Sequence, residues 1–340
     1  MSATAEPAGI VAARPRPPLV ELGRTGLRVS RLGLGLAGLG RPAYMTLGRH
    51  ADLGTDRSMN AMLRRCHLML DAAYAAGIRY VDVARSYGLG ERFLRCWFDA
   101  RELSDGGITI GSKWGYTYTG RWRLDAPCHE VKSLSVETLR RQAAESERIL
   151  AGRLSLYQIH SATLESGVLD DPLVLTELME LRRRGLCVGL TVTGPKQADV
   201  IRKALTVRVD GRQLFQVVQA TWNLLEPSAA PALGEARAEG CGVIVKECLA
   251  NGRLTTRQAD TALRALHAYA CARGSTLEAV AVAAALVQPW ADVVLAGAVT
   301  VEQLNGQLAA LALERVDFPV WRAIEQPEVY WRRRAEMRWT

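Results

Sequence analysis

Arg79-Tyr80-Val81-Asp82-Val83-Ala84-Arg85-Ser86-Tyr87-Gly88 is an apolar, β-rich run that ends in polar chemistry. Two further stretches share that design, Ile108-Thr109-Ile110-Gly111-Ser112-Lys113-Trp114 and Leu156-Tyr157-Gln158-Ile159-His160. Short runs of β-branched or aromatic residues, separated by longer helical patterns, read as strand–helix units of a parallel sheet. In such sheets catalytic groups gather at the carboxyl ends of the strands. Asp82, Tyr87, Lys113 and His160 all fall at such ends.

Working outward, comparable runs lie near 32–36, 79–84, 108–113, 154–160, 186–192, 214–221, 242–248 and 292–297, with helical patterns between them. Eight strands alternating with helices predict an α/β fold, a (β/α)8 TIM barrel. Leu22-Gly23-Arg24-Thr25-Gly26-Leu27-Arg28-Val29-Ser30 has a polar turn beside Gly26 and alternating flanks, which predicts a β-hairpin plugging the barrel floor. Residues 1–18, rich in Ala and Pro, read as a disordered leader. Residues 19–340 read as one barrel domain with a C-terminal tail.

The four strand-end residues make a proton-donating set. A tyrosine hydroxyl is a poor acid, with an ordinary pKa of about 10. An ammonium such as Lys113 beside it would stabilise the phenolate and lower that value. Asp82 would hold the lysine charged and oriented, and His160 would donate a hydrogen bond to a substrate carbonyl or to the phenol. Lysine is scarce here: of 43 Lys and Arg residues only Lys113, Lys132, Lys196, Lys203 and Lys246 are lysines. A lysine kept at a strand end, where burial can tune it as it cannot tune arginine, therefore stands out. The bland alternative, a snorkelling lysine and three satisfied polar groups, fits any one residue better than it fits all four together.

Composition narrows the class. The chain has 340 residues, 49% hydrophobic, ample for a large barrel core. No apolar run approaches a membrane span and the N-terminus lacks a signal pattern, so the expectation is a cytoplasmic protein without membrane association. The net charge of +8 comes from arginines spread through the chain rather than clustered with aromatics, which argues against nucleic acid. Seven cysteines lie singly and the remaining histidines in no metal-like spacing, so no metal site is expected. The tail Tyr330-Trp331-Arg332-Arg333-Arg334 reads as tryptophan packed on the barrel with arginine outward, in preference to an anion-binding patch.

Over roughly residues 20–315 the chain resembles the aldo-keto reductase superfamily. The opening Leu22 to Gly35, the tetrad Asp82, Tyr87, Lys113 and His160, the run Phe215-Gln216-Val217-Val218-Gln219-Ala220-Thr221-Trp222-Asn223 and the segment Leu295-Ala296-Gly297-Ala298-Val299-Thr300-Val301-Glu302-Gln303-Leu304 carry the likeness. The resemblance implies hydride transfer between a nicotinamide cofactor, NADP(H) or possibly NAD(H), and a small-molecule aldehyde, ketone or sugar carbonyl, with Tyr87 donating the proton. It implies cofactor contacts at Gly35, Thr191, Gln219, Lys246, Leu249, Gly297, Ala298, Thr300, Gln303 and Gln307. An oxidative aldose-type dehydrogenase, with Tyr87 as base, and a catalytically weak, cofactor-binding regulatory subunit are the alternatives.

The chain also departs from the family pattern. Lys246 stands where relatives often stack an aromatic on the nicotinamide; its stem would cover a ring face and its ammonium would meet a phosphate or an anionic substrate. Thr191-Val192 replaces a Ser–Asn pair, Asn305-Gly306-Gln307 replaces a Glu–Asn grip, and Gln303 replaces an arginine found in some relatives. Specificity should sit on loops 41–57, 115–134, 222–230 and 315–340, whose aromatics, Tyr44, Trp114, Tyr116, Tyr118, Trp122, Trp222, Trp321 and Trp331, suggest an aromatic-walled pocket. Trp114, Tyr116 and Trp222 are the expected substrate contacts, whereas Trp321 and Trp331 are expected to pack the loops.

Overall fold

The computed structural model describes residues 15–103, 107–257, 263–313 and 324–340. Eight parallel strands, Leu32–Gly35, Tyr80–Asp82, Thr109–Trp114, Leu154–Ala162, Cys187–Val192, Val217–Thr221, Gly242–Lys246 and Val293–Ala296, close on one another in sequence order. The eighth pairs with the first through Val294↔Leu32, and this closure leaves the barrel sheet without an edge. The fold is the (β/α)8 barrel that the strand spacing predicts.

These segments form strands because both faces are covered, which is why they read as near-continuous apolar runs. Inside the floor, Leu22, Val29, Tyr80, Leu156, Val217, Ile244 and Val293 form one buried cluster. Helices cover the outside, and several begin where the sequence offers a cap. The side chains of Ser58, Ser135, Asp171, Thr276 and Thr300 each accept a backbone N–H of the following turn, satisfying donors that a helix start leaves free.

The predicted hairpin is present, with Leu19–Glu21 antiparallel to Arg28–Ser30, and Leu22 inserts into the floor cluster. The predicted leader lies mostly outside the described residues; Pro15 to Pro18 lead into the hairpin without regular structure. At the other end of the barrel, helix Pro327–Ala335 buries Tyr330 and Trp331. Beyond it Thr340 and Tyr44 exchange two backbone hydrogen bonds of 3.2 Å, tying the tail to the loop after the first strand. Trp339 stacks on His129, ring centres 4.5 Å apart and 8° from parallel. Trp331 packs inward as expected, but the outward reading of the arginines holds only for Arg332 and Arg333. Arg334 turns in and pairs with Glu247 at the end of the seventh strand, because a carboxylate held that deeply needs a counter-charge.

Candidate active site

The second, third and fourth strands bring the tetrad together. Asp82 ends the second strand, and a turn closed by Tyr87 N–H donating to the Ala84 carbonyl at 3.0 Å returns Tyr87 over the strand end. That turn abuts the exit loop of the first strand, where the Leu89 N–H donates to the Gly40 carbonyl at 2.8 Å. Lys113 projects from the third strand. Its Nζ donates to Asp82 and, at 3.3 Å, to the Tyr87 hydroxyl, and also reaches the Val83 carbonyl at 3.1 Å. Asp82 is completed by the Gln219 amide, which donates to its second oxygen at 2.9 Å.

His160 stands edge-on to Tyr87 with ring centres 5.6 Å apart, and Tyr116 meets its other side at 4.9 Å. The next residue, Ser161, has a φ of +61°, in the region L-residues avoid, and the register against the fifth strand shifts there. Its N–H is taken by Thr191 Oγ1 at 2.7 Å, so Thr191 holds the kink that ends the His160 strand.

Electrostatics modify one expectation. Burial, then the charge of Asp82, raises the Tyr87 pKa well above its ordinary value, while Arg41 works against the rise. The hydroxyl is therefore a firmly neutral phenol in the resting site, not one already acidified by Lys113: loss of hydration outweighs the nearby ammonium. Burial and four cations, Lys113, Arg41, Lys246 and Lys132, push the His160 pKa well down, so its ring is neutral and carries one N–H.

Above Tyr87 and His160 opens a cavity of about 540 Å³. Gly35, Tyr116, Thr191, Gln219, Lys246, Leu249, Gly297, Gln303 and Gln307 line it, with Tyr44 beside them. Lys113 lies beneath it, and Ala298 and Thr300 do not reach it; Thr300 instead caps helix Val301–Leu308. Trp114 and Trp222, expected as substrate contacts, are also absent from the wall. Side chains alternate along a strand, so with Lys113 inward Trp114 turns out to the helix layer, where it is fully buried. Trp222 packs edge-on against Trp290. Trp321 lies outside the described residues.

Sequence reasoning passed over Arg41, Glu130, Glu247 and Arg334, which all line the cavity. The Arg41 guanidinium sits 5.1 Å from the centres of the Tyr87 and Tyr44 rings and 4.6 Å from that of Trp339, and pairs with Glu130 at 2.6 Å. Its partners lie in four separate stretches of chain, so no local pattern points to it. Glu247 was in view beside Lys246, but its counter-charge comes from residue 334.

The wall fits an extended nucleotide cofactor in several ways. A Cβ added at Gly297 or Gly306 would meet open space, and at Gly35 nothing nearer than 3.6 Å, so backbone is exposed to a ligand on that side. The Gln307 Oε1 is buried without a hydrogen-bond partner, and capped helix Val301–Leu308 begins beside Gly297. Gln303 Oε1, at the position held by arginine in some relatives, instead accepts the Val299 N–H at 2.9 Å.

The chain is thus a (β/α)8 barrel with a buried Asp–Lys–Tyr cluster and a neutral histidine at one cavity. Residues 32–326 match the Aldo/keto reductase family model, and the chain belongs to that family, as a carbonyl oxidoreductase. Solved structures share the fold. One, described as an aldo-keto reductase from Pseudomonas aeruginosa, has a TM-score of 0.62 at 23% identity, covering 86% of this chain and 94% of that one. The holo form of aldo-keto reductase AKR11C1 from Bacillus halodurans has a TM-score of 0.65 at 20% identity, covering 94% of this chain and 96% of that one. No curated protein matches the chain at a comparable level.

Proposed function

We propose that this protein reduces a small aldehyde, ketone or sugar carbonyl to the alcohol with NADPH, or with NADH in its place, and that Tyr87 is the general acid. The observation that carries the reading is the contact of the Tyr87 hydroxyl with the Lys113 ammonium at 3.3 Å, with His160 alongside on the cavity floor. When bound, the nicotinamide would supply the hydride. Gly35, Thr191, Gln219, Gly297, Gln303 and Gln307 are the residues that would hold the cofactor.

Tyr87 enters the step as a neutral phenol, the form that burial favours, and so has a proton to give. The neutral His160 ring donates its N–H to the carbonyl oxygen, orienting it beside the phenol. As the carbonyl oxygen gains negative charge it takes the phenolic proton, and the charge passes to Tyr87. Lys113, joined by the Arg41 guanidinium over the ring, then stabilises the phenolate. Asp82 fixes the lysine, and Gln219 fixes Asp82. In a low-dielectric site these charges act far more strongly than in water.

The test is titration of the protein with NADPH and with NADH, read by tryptophan fluorescence, followed by a panel of carbonyl substrates with Tyr87→Phe as the control. Cofactor binding together with turnover that Tyr87→Phe removes supports the reading. Equal turnover in the variant overturns the role of the hydroxyl, and failure to bind either cofactor overturns the oxidoreductase reading.

A further inference from the structure

Three of the five lysines have carboxylate partners: Lys113 with Asp82, Lys196 with Glu165 and Lys203 with Asp170. Among the described residues, Lys132 and Lys246 have none within ion-pair distance, and both lie next to the His160 end of the cavity. Lys132 Nζ donates to the carbonyl of Ser161, the residue after His160, at 2.7 Å. Lys246 lines the cavity itself and is half-buried there. Its Nζ donates at 2.8 Å to Thr221 Oγ1 and faces the Trp331 ring, 5.8 Å from the centre.

An ammonium has three protons to donate, and a cation this enclosed ordinarily has a counter-charge. The adjacent carboxylate, Glu247, acts on Lys246 through space and works against the effect of burial, but it makes no direct ion pair with it and its hydrogen bonds go elsewhere. Glu247 accepts from Arg334 Nε at 2.9 and 3.1 Å and from the Thr221 hydroxyl at 3.1 Å. The Glu130 carboxylate is likewise taken by Arg41. His160, beside the reacting oxygen, feels Lys113, Arg41, Lys246 and Lys132 together as a positive field.

We propose that the natural substrate carries a carboxylate as well as its carbonyl, and that Lys246 binds that carboxylate. The proposal rests on the carbonyl-reductase reading above and moves Lys246 from the cofactor to the substrate. A phosphate of the cofactor is the other source of negative charge. It is disfavoured by place: after its neighbour Glu247 and Arg334, the charges acting on Lys246 are Lys113 and Asp82, and Lys246 in turn acts on His160, all at the tetrad end of the cavity. The open backbone at Gly297 and Gly306 and the start of helix Val301–Leu308 lie after the eighth strand.

Burial holds the Lys246 pKa down at about 8, so affinity for an anion should fall as pH rises through that value. A charge-assisted hydrogen bond of this kind contributes roughly ten- to hundredfold in binding.

The experiment compares kcat/KM for 4-carboxybenzaldehyde and benzaldehyde in the wild type, Lys246→Met and Lys246→Arg, and measures the Kd of NADPH for each. The wild type should favour the acid. Lys246→Met should cut that preference by about ten- to hundredfold, Lys246→Arg should keep most of it, and the Kd of NADPH should change by less than about twofold. An acid preference absent from the wild type, or unchanged in Lys246→Met, overturns the proposal. So does a weakened Kd for NADPH with the preference intact, which would assign Lys246 to the cofactor.

Should neither aldehyde turn over, the reductase reading falls, while the anion site is still decided by quenching of tryptophan fluorescence in the protein alone. Benzoate binding tighter than benzamide in the wild type and not in Lys246→Met sustains the site. Equal binding of the two by the wild type overturns it, as does benzoate selectivity that survives in Lys246→Met.

Discussion

Gly40 and Tyr87 meet through their backbones: a Cβ at residue 40 would stand 2.2 Å from the Tyr87 carbonyl oxygen. The aim of the proposed acid is therefore set by a loop after a different strand. Gly40→Ala has to displace the Tyr87 turn, and the atom in the way is backbone rather than a flexible side chain. The expected outcome is a loss of about 1–3 kcal/mol in stability, the usual range for overpacking, measured by urea unfolding. A fall in kcat/KM larger than that of a surface Ala control should accompany it. Unchanged kcat/KM would mean that the turn adjusts without moving the hydroxyl.

Tyr87→Phe keeps the ring that packs against His160 and Arg41 and removes only the proton. Turnover should drop by about 10²–10⁴-fold, the contribution typical of a general acid. Cofactor affinity should stay within about twofold, since the hydroxyl is proposed to act on the substrate oxygen. Steady-state kinetics and fluorescence titration on the same preparation separate the two effects.

Asp82 and Lys113 are both buried, so removing either leaves an uncompensated charge. Asp82→Asn and Lys113→Met should each destabilise the fold by about 3–5 kcal/mol. The double variant should lose less than the sum of the two, because neither charge remains to be unpaired. Urea midpoints for the four proteins test this, and strict additivity would show the pair to be uncoupled.

Glu247 connects acid stability to the C-terminal tail. Despite its burial, Arg334 first and then Lys246 hold its carboxyl down at about 2, against an ordinary 4.5. The stabilisation from a depressed carboxyl is complete above the unfolded-state value and is lost as pH falls through the folded one. Stability should therefore decline between about pH 4.5 and pH 2, and part of that decline should vanish in Glu247→Gln. Thermal midpoints collected across that range for both proteins provide the comparison; parallel profiles would remove Glu247 as the cause.

The fold and the tetrad were legible because both are written in local pattern. Apolar runs such as Val217–Thr221 and Gly242–Lys246 are strands wherever a barrel covers both faces, and they bring Gln219 and Lys246 to the cavity. Asp82, Tyr87, Lys113 and His160 could be picked out from the ends of such runs, and the hairpin from Gly26 between alternating flanks. The pocket aromatics were less legible. Strand alternation sent Trp114 outward with Lys113 inward, and a packing partner 68 residues along the chain took Trp222.

What the sequence determined by itself was the barrel and which polar residues stand at its strand ends, since period and strand termini are properties of a few consecutive residues. What only the tertiary structure decided was the charge balance of the cavity. Arg41 with Glu130 and Arg334 with Glu247 are pairs separated by long stretches of chain. Lys246 makes no direct ion pair because its neighbour Glu247 is paired with Arg334 from the tail. Buried charges are governed by what lies within a few ångströms in space, and that proximity is created only when the loops and the tail close over the barrel.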